Sequence, residues 1–276
     1  MIPKVTVDIV TPVYYGSAEV LRGSIEKLHA FCRAELRDYW WKIIIANNGP
    51  RKDILPIAEV LSREYDAVFV LDYDLPGRGG ALRSAWGKSS AQIVMYMDVD
   101  LSADLTAIPQ ALDEIRAGWD VVVGSRYLKE SRCKRSLYRH VISRIFNHLV
   151  LRHYLRVSFS DVQCGFKALS KEAAAVLLPF THDNGWFFDT ELLYMVHRFG
   201  LKCKEIPLIW RDYWPSGVRI GQTTFDFLRK IVKLHRVSLD IPTDPMRASL
   251  GSDRSRPSSR AVPGADRDFK TSRLQE

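Results

Sequence analysis

Short apolar runs alternate with longer stretches of helical spacing along the first two-thirds of the chain. Five of the runs have the length of buried strands, and turn-forming or polar residues follow them. They predict strands over residues 5–10, 41–46, 67–71, 93–97 and 121–123.

The residues between these strands have the periodicity of helices. In the first such segment Leu21, Ile25 and Leu28 share one helical face, which predicts a helix over residues 17–36. The same reasoning predicts helices over residues 54–65, 77–86 and 108–118.

This alternation predicts a single α/β domain within residues 1–240, with a mainly parallel sheet and helices on both of its faces. Ligands of such sheets bind beyond the carboxyl ends of the strands. Asn47, Asp98 and Ser125 each follow a predicted strand, so we expect them to lie at that edge. Residues 241–276 are rich in Ser, Pro, Arg and Asp and poor in aromatic residues, which predicts a disordered tail.

A basic amphipathic helix is predicted within residues 133–156. An apolar stripe recurs there at every fourth position, and the arginines fall largely outside it. Most such stripes pack into a protein core, whereas arginines beside the stripe are also typical of a helix at a membrane interface. Residues 225–234 are a second candidate for membrane contact.

The net charge of +8 bears on the choice of partner, while 46% hydrophobic residues are enough for one sizeable core. The positive charge fits a phosphorylated ligand, an anionic membrane, nucleic acid or simply a solvated surface. Nucleic acid is disfavoured, because the basic residues are spread along the chain without a recognition motif.

The four cysteines form no C-x-x-C pair, which disfavours a zinc site and favours a reducing compartment. The N-terminal residues lead directly into a predicted strand and lack the pattern of a signal peptide. No apolar stretch reaches the ~18 residues of a membrane-spanning helix. We therefore expect a cytoplasmic protein, peripheral at the cytoplasmic face of a membrane.

Asp98 and Asp100 are candidate metal ligands, because they directly follow an apolar strand. Two carboxylates two residues apart at a strand end can bind one divalent cation, and hard oxygen ligands suit Mg²⁺ or Mn²⁺. Such an ion can bridge a diphosphate and stabilise it as a leaving group. The alternative is a solvated loop that carries two acids by chance.

The glycine-rich turn Gly77-Arg78-Gly79-Gly80, with Arg83 one helical turn beyond, is a candidate phosphate-binding turn at a helix start. It is neither a dinucleotide fingerprint nor a P-loop, because the glycine spacing and the Gly-Lys-Ser/Thr ending are absent. The alternative is a flexible turn with incidental arginines.

Arg139 and Ser143 lie four residues apart and hence on one face of the predicted helix. Together with Arg126 they could bind a second phosphate, that of an acceptor. A surface salt bridge is the alternative for Arg139.

Asp189 and Glu191 stand among large apolar residues, where acids need partners or have shifted pKa values. They are therefore candidate functional residues. The alternative is a helix N-terminus, which Asp189 would cap and at which the helix dipole would favour Glu191. Both interpretations can hold at once.

Seven segments carry a family resemblance through their order along the chain. They are Thr-Pro-Val-Tyr at 11–14, Ala-Asn-Asn-Gly at 46–49, Gly-Arg-Gly-Gly-Ala-Leu-Arg at 77–83, Met-Asp-Val-Asp-Leu-Ser at 97–102, Gly-Ser-Arg at 124–126, Asp-Val-Gln-Cys-Gly-Phe-Lys at 161–167 and Trp-Phe-Phe-Asp-Thr-Glu-Leu at 186–192. In this order the chain resembles glycosyltransferase family 2, in particular its dolichyl- or polyprenyl-phosphate hexosyltransferases.

The resemblance implies a GT-A fold, which is Rossmann-like, and an inverting transfer of a hexose from a nucleotide-sugar. It implies a metal and diphosphate site, with Mg²⁺ or Mn²⁺, at Asp98 and Asp100. The positions implied for binding the nucleotide-sugar, besides Asp98, are Pro12, Tyr14, Asn47, Trp186 and Arg219. Gly79 and Arg83 of the glycine-rich turn are candidates for the same ligand from their own pattern.

The resemblance also implies an acceptor and a sugar site. A lipid phosphate would be held by Arg126, Arg139 and Ser143. The catalytic positions implied around the sugar and the metal are Gln163, Asp189, Glu191, Asp98 and Asp100.

The implied acceptor, a polyprenyl or dolichyl phosphate, is an anion near neutral pH and needs little help from a general base. Catalysis would then rest on positioning and on stabilisation of the leaving diphosphate. A sugar-hydroxyl acceptor would require a base, for which Asp189 is the first choice.

Two departures from the family pattern concern the nucleobase end of the site. Tyr15-Gly16 stand where the family usually has Asn-Glu, and Asn47-Asn48 stand where it usually has at least one Asp. An Asn amide can still pair with a uracil or guanine edge, because it both donates and accepts. The resemblance therefore implies UDP-glucose or GDP-mannose as the donor, with a slight preference for UDP-glucose from the segment at 161–167.

Two other functions are compatible with these residues. The same donor chemistry could serve a soluble glycan or small-molecule acceptor, because the membrane helices of many relatives are lacking here. A catalytically degenerate nucleotide-sugar-binding protein is the other alternative, for which the changes at 15–16 and 47–48 argue.

Overall fold

The computed structural model describes residues 4–14, 18–49, 54–73, 75–134, 157, 159–211, 227 and 229–234. The strands within them are β1 (Val5–Val13), β2 (Tyr39–Asn47), β3 (Val68–Asp72), β4 (Ile93–Met97), β5 (Val121–Ser125), β6 (Arg132–Lys134), β7 (Phe166–Ser170), β8 (Cys203–Pro207) and β9 (Ile209–Arg211). The helices are α1 (Ala18–Glu35), α2 (Ile54–Glu64), α3 (Arg78–Lys88), α4 (Ala107–Arg116), α5 (Lys171–Leu177) and α6 (Phe188–Arg198), with a 3₁₀ turn at Leu178–Phe180.

Seven strands form one central sheet in the order β3-β2-β1-β4-β7-β5-β8. All neighbours are parallel except β7, which runs antiparallel to both β4 and β5. A second, two-stranded parallel sheet pairs β6 with β9. The prediction of a mainly parallel α/β sheet is confirmed, and the antiparallel β7 in its interior was not predicted.

Helices cover both faces of the central sheet, because successive strand residues point to opposite faces. In β4, Met95 belongs to the apolar layer that contains the buried residues of α1, α2 and α4. Its neighbours Val94 and Tyr96 belong to the opposite layer, with α3, α5 and α6. This double burial explains why the strands read as continuous apolar runs instead of alternating ones.

The strands that the sequence predicted are all present; β4 has the predicted limits, and the other four extend slightly further towards their carboxyl ends. β2 reaches Asn47 and β5 reaches Ser125, while Asp98 directly follows β4. The three residues therefore end or follow strands at the edge where the prediction placed them.

Three predicted features lie wholly or partly outside the described residues. Residues 133–134 of the predicted amphipathic helix belong to the strand β6, so the helix prediction is wrong there. The rest of that helix, 135–156, and the tail at 241–276 lie outside the described residues. Within 225–234, Phe227, Ile231 and Leu234 belong to the hydrophobic core. These three side chains therefore pack against protein, whereas Val232 of the same segment is 38% exposed. Membrane contact by the segment stays a prediction.

In the part of the chain that the structure describes, no helix combines the length and the apolar character that crossing a bilayer requires.

Candidate active site

Asp98 and Asp100 lie in a tight turn that leaves the end of β4. The Leu101 N–H donates to the Asp98 carbonyl at 3.1 Å, and the Ser102 N–H donates to Asp100 Oδ1 at 3.0 Å. Leu101 has a φ of 52°, which is uncommon for a residue with a side chain. Such strain is found where a site must hold its groups in one arrangement.

Gly165 makes room for the carboxylate of Asp98. The Asp98 N–H donates to the Gly165 carbonyl at 3.1 Å. A Cβ on Gly165 would overlap the Asp98 carboxylate. Glycine at this position therefore allows the backbone just before β7 to approach the side chain directly.

Arg78, the second residue of the glycine-rich turn, joins two carboxylates beneath the site. Its Nη1 donates to Asp98 Oδ1 at 3.2 Å, and its Nη2 donates to Asp189 Oδ2. The guanidinium is 7% exposed and lies 4.3 Å from the ring centre of Trp186, which is 45% exposed. An arginine suits this position, because its planar fork can serve two partners and stack on an aromatic ring.

Asp189 is fully buried and accepts from three donors. Lys167 Nζ lies 2.7 Å from its Oδ1, and the Tyr96 hydroxyl donates to the same oxygen. Lys167 is itself fully buried and also donates to the carbonyls of Val162 and Cys164. Buried ions are tolerated only when paired and hydrogen-bonded, and these groups satisfy one another.

The alternative for these acids is confirmed in part: a helix begins here with Glu191 in its first turn, but Asp189 does not cap it. Phe187 is the N-cap of α6, and no side chain accepts a capping hydrogen bond there. Asp189 lies within the first turn of α6 and pairs with Arg78 and Lys167. The expectation that a buried acid at this position needs partners is therefore confirmed.

The electrostatics of this cluster follow from burial and mutual contact. The pKa of Asp98 is raised to about 6. Burial is the largest cause, the Arg78 cation opposes it, and the nearby Asp100 and Asp189 carboxylates add to the rise. Burial and the Asp189 carboxylate raise the pKa of Tyr96 well above its ordinary value. The phenol therefore stays protonated and remains a donor to Asp189.

Asp98 and Asp100 offer carboxylate oxygens, which are suitable ligands for a divalent cation. Their charges repel at this turn, and a cation between them would relieve the repulsion. Among the described residues no group of three or more His, Cys, Asp or Glu side chains converges on one point. Two protein ligands leave coordination positions for diphosphate oxygens and water, as is usual for Mg²⁺ at phosphate sites.

Asn47 ends β2 at the predicted nucleobase position and is 3% exposed. Its Nδ2 donates to Asp72 Oδ1 at 2.8 Å, at the end of β3. Tyr14 is half exposed and its ring lies against Gly49, while the buried Pro12 pairs with Ala46 across the sheet. Pro12, Tyr14 and Asn47 therefore lie within one corner of the carboxyl edge.

The glycine-rich turn is packed against protein. Gly77 has a φ of 134°, which favours glycine, and the Gly80 N–H donates to the Asn184 carbonyl at 3.2 Å. A side chain on Gly79 would overlap Phe188 and the Asp183 carbonyl. The structure therefore gives Gly79 a packing role, and its contact with a donor stays a prediction.

Arg83 lies on the same helix, with its guanidinium directed at the segment before α6. It donates to the carbonyls of Thr181 and Asp183 and to the side chain of Asn184. Arg83 therefore fixes this segment to α3, and its predicted contact with the donor stays a prediction.

Glu191 and Gln163 also have protein partners. Glu191 Oε2 accepts from the N–H groups of His182 and Asp183 at 2.7 and 2.8 Å, and burial raises its pKa. Gln163 Nε2 donates to the Thr190 hydroxyl at 2.7 Å. Glu191 thus joins α6 to the segment before it, and Gln163 joins α6 to the segment before β7. Their catalytic roles stay predictions.

Arg126, predicted to bind an acceptor phosphate, forms a buried bidentate pair with Asp161. Its Nε and Nη2 lie 2.6 and 2.8 Å from the two carboxylate oxygens, and its guanidinium stacks 5.0 Å from the Trp210 ring centre. The other predicted acceptor and donor contacts, Arg139, Ser143 and Arg219, lie outside the described residues.

Several residues of the cluster were not singled out from the sequence. Arg78 belongs to the glycine-rich turn but was not named as a site residue. Gly165 and Lys167 belong to the segment 161–167, from which only Gln163 was named. Lys167 offered one usable signal, because it is the one charged residue in the strand β7. Asp72 follows an apolar run in the same way as Asn47, and that signal could have found it.

The fold and these residues define the class of the protein, an α/β enzyme whose acidic site lies beyond the carboxyl ends of a mainly parallel sheet. The sequence profile of glycosyl transferase family 2 matches residues 8–178. The chain belongs to this family, and it is a glycosyltransferase.

Two relatives illustrate the range of similarity. Glycosyltransferase AglD of Haloferax volcanii is 33% identical over 233 residues, which are 83% of this chain and 35% of that protein. The chain thus spans about a third of the length of AglD. Dolichyl-phosphate beta-glucosyltransferase ALG5A of Trichomonas vaginalis is 25% identical over 245 residues, 85% of this chain and 75% of that protein.

A solved structure with the same fold is glucosyl-3-phosphoglycerate synthase from Mycobacterium tuberculosis, in complex with Mn²⁺, UDP and glucosyl-3-phosphoglycerate. It matches with a TM-score of 0.61 at 16% identity, over 86% of this chain and 81% of that one. This likeness confirms the predicted GT-A fold.

Proposed function

We propose that this glycosyltransferase transfers a hexose, with inversion, from a nucleoside-diphosphate sugar to a polyprenyl or dolichyl phosphate. Asp98 and Asp100 would hold Mg²⁺ or Mn²⁺, whose charge stabilises the diphosphate as it leaves. UDP-glucose is the preferred donor, because relatives that cover most of this chain are dolichyl-phosphate beta-glucosyltransferases.

The sheet order supports the donor part of this proposal. Asn47 ends β2 and Asp98 follows β4, and β1 lies between these two strands. Two strand spacings separate the corner of Asn47 from the carboxylates by roughly 10 Å. A nucleoside diphosphate can bridge such a span, with its base near Asn47 and its diphosphate near Asp98.

The burial and the hydrogen bonds of Asp189 support the proposal that the acceptor is a phosphate. A hydroxyl acceptor needs a general base with an accessible oxygen, but Asp189 is 0% exposed. Its oxygens already accept from Arg78, Lys167 and Tyr96. A phosphate acceptor is ionised before it binds, so its attack needs positioning and charge stabilisation instead of a base.

The test combines Mn²⁺ with UDP-glucose or GDP-mannose and a short-chain polyprenyl phosphate. We expect a lipid-linked hexose from one donor, and its loss in Asp98→Asn. Asp66→Asn is the matched control, because Asp66 is an exposed acid before the amino end of β3. Transfer that persists in Asp98→Asn would refute the proposed metal site.

Two further acceptors separate the alternatives. Polyprenol, which ends in a hydroxyl, should accept no hexose, and 3-phosphoglycerate tests a soluble phosphate. Transfer to polyprenol would contradict the acceptor class, and transfer to 3-phosphoglycerate alone would move the function to soluble acceptors. If neither donor is consumed with any of these acceptors, the proposed donor and acceptor are both wrong, and the alternative of a catalytically degenerate binding protein gains support.

A lipid acceptor also requires contact with a membrane, which we propose is peripheral and at its cytoplasmic face. Flotation with anionic vesicles measures this contact directly, and a protein that stays at the bottom of the gradient would argue against it.

A further inference from the structure

The side-chain amide of Asn47 has a fixed orientation. Its Nδ2 lies 2.8 Å from Asp72 Oδ1 and 3.4 Å from the Gly49 carbonyl oxygen. Both neighbours only accept hydrogen bonds, so the amide end that faces them must be the donating NH₂ group. The chemistry of these partners therefore settles which way the amide points, a choice that side-chain shape alone leaves open.

The opposite end of the same amide lacks a donor. Asn47 Oδ1 is buried, and no described residue donates to it. Asn48 Oδ1, on the next residue, is buried and lacks a partner among the described residues as well. Buried acceptors without a donor are rare in native proteins. A pair of them in one corner indicates that a bound molecule supplies N–H groups.

The position of this corner suggests which molecule does so. The ring of Tyr14 lies against Gly49 beside it, and Tyr14 is half exposed. An aromatic ring and unpartnered acceptors suit a planar heterocycle that stacks and donates from its edge.

We propose that Asp72 is a positioning residue that makes Asn47 an obligate acceptor and thereby selects the nucleobase. This inference rests on the proposed function, because it takes the ligand to be the donor nucleotide. Uracil and guanine carry a ring N–H in the middle of the Watson–Crick edge and can donate from it to Asn47 Oδ1. Cytosine and adenine have a bare ring nitrogen at that position and donate only from the exocyclic amino group beside it, so a base placed as uracil would be sets two acceptors face to face.

The proposal also explains how the site works without an acid at 47 or 48. An aspartate there would present an acceptor whichever way it turned, whereas a free asparagine could turn and present its NH₂ group. Asp72, from the neighbouring strand β3, removes that freedom. The Asn47–Asp72 pair thus presents an acceptor, as an aspartate would.

The first experiment is calorimetric titration of the protein with UDP, GDP, CDP and ADP, each with Mn²⁺. We expect UDP or GDP to bind at least about tenfold more tightly than CDP and ADP, because an unpaired buried acceptor is costly. Equal binding of all four nucleotides would overturn the inference.

Asp72→Ala then tests the positioning role. Without its main partner the amide can turn, so the preferred nucleotide should bind roughly tenfold more weakly and its advantage over CDP should shrink to about threefold or less. Asp66→Ala makes the same change at an exposed acid before β3 and should alter binding by less than about twofold. An unchanged preference in Asp72→Ala would refute the role of Asp72.

A reciprocal exchange tests the pair itself. Asn47→Asp alone places two carboxylates face to face and should weaken binding by at least about tenfold. In Asn47→Asp/Asp72→Asn the new amide at 72 can donate to the new carboxylate, whose second oxygen faces the base. Binding should return to within about threefold of the original protein. A double variant that binds no better than Asn47→Asp would contradict the inference.

The hexose-transfer assay separates this inference from the function on which it rests. Transfer with normal nucleotide preference in Asp72→Ala would remove the inference and leave the proposed function standing. A protein that binds no nucleotide with Mn²⁺ would overturn both. Thermal melts of each variant, compared with the original protein, identify any loss of binding that comes from unfolding.

Discussion

The Cα of Gly165 lies so close to the carboxylate of Asp98 that no side chain fits between them. The contact follows from the sheet, in which Met97 of β4 is opposite Phe166 of the antiparallel β7. Each of the two residues lies one position beyond that pair, at the carboxyl edge. The residue that leads into the antiparallel β7 thus contacts the carboxylate that is proposed to bind the metal.

Gly165→Ala should displace Asp98 and reduce hexose transfer on the order of 10²-fold, since displacement of a reacting group by about 1 Å has such effects. Overpacking should also lower the free energy of unfolding by about 1–3 kcal/mol. Steady-state kinetics and urea unfolding measure the two effects.

Gly23→Ala is the matched control, because no atom outside its own helical backbone lies within 4 Å of a Cβ there. It should leave activity intact and stabilise α1 by up to about 1 kcal/mol; equal activity of both variants would contradict the steric argument.

Arg78→Met removes one of the two cations that neutralise Asp98 and Asp189. Because loss of one partner leaves a buried charge uncompensated, the free energy of unfolding should fall by about 3–5 kcal/mol. Arg63→Met removes an exposed cation that pairs with Glu59 on the helix surface and should cost less than about 0.5 kcal/mol. Urea unfolding followed by circular dichroism compares them. A loss below about 1 kcal/mol in Arg78→Met would show that the cluster is not a unit.

Much of the fold was predictable, because buried parallel strands are apolar runs whatever their neighbours are. Residues 93–97 show this, since the predicted and observed limits of β4 coincide. Asp98 was found for the same reason, because its place after a strand is written in the chain. The order of the strands was less accessible. Nothing within residues 166–170 says that this strand is antiparallel, because direction depends on the connection and on its partners.

The charges beneath the site were not predictable one at a time. Arg78, Lys167 and Asp189 are distant in the chain and meet only because α3, β7 and α6 converge. From the sequence, Asp189 was equally compatible with a helix cap, and only the cations opposite it decide between the two. Arg126 is a similar case, since the sequence did not reveal its buried partner Asp161; its predicted contact with an acceptor phosphate stays a prediction.

The Arg126–Asp161 pair predicts how stability depends on pH. Burial alone would raise the pKa of Asp161, but the Arg126 guanidinium holds it below its ordinary value. The ordinary value, about 3.9, applies to the unfolded chain. The pair therefore stabilises the fold fully above about pH 5, and this contribution is lost as the pH falls through 3.9 towards the lower folded value.

Asp161→Asn isolates that contribution. At pH 7 the variant should be less stable by about 3–5 kcal/mol, since Arg126 stays buried without its counter-ion. Between about pH 5 and 3 its stability should fall less steeply than that of the original protein, because one titrating group is gone. Urea unfolding at a series of pH values measures both slopes. Glu191, whose pKa burial raises, contributes with the opposite sign in both proteins, so parallel slopes would contradict the assignment to Asp161.

The carboxylates of Asp98 and Asp100 should make nucleotide binding depend on a divalent cation. A ligand that binds only the folded state stabilises it, by about 2.7 kcal/mol at one hundred times its dissociation constant. With Mn²⁺ present, UDP or GDP should therefore raise the melting temperature by several degrees, and EDTA should remove most of that rise.

In Asp98→Asn/Asp100→Asn the nucleotide should produce the same small shift with and without Mn²⁺, because the amides cannot neutralise the cation. The variant keeps the size of both side chains, so an unchanged melting temperature without ligand shows that the fold survives. A Mn²⁺-dependent shift that persists in the double variant would mean that other residues bind the cation.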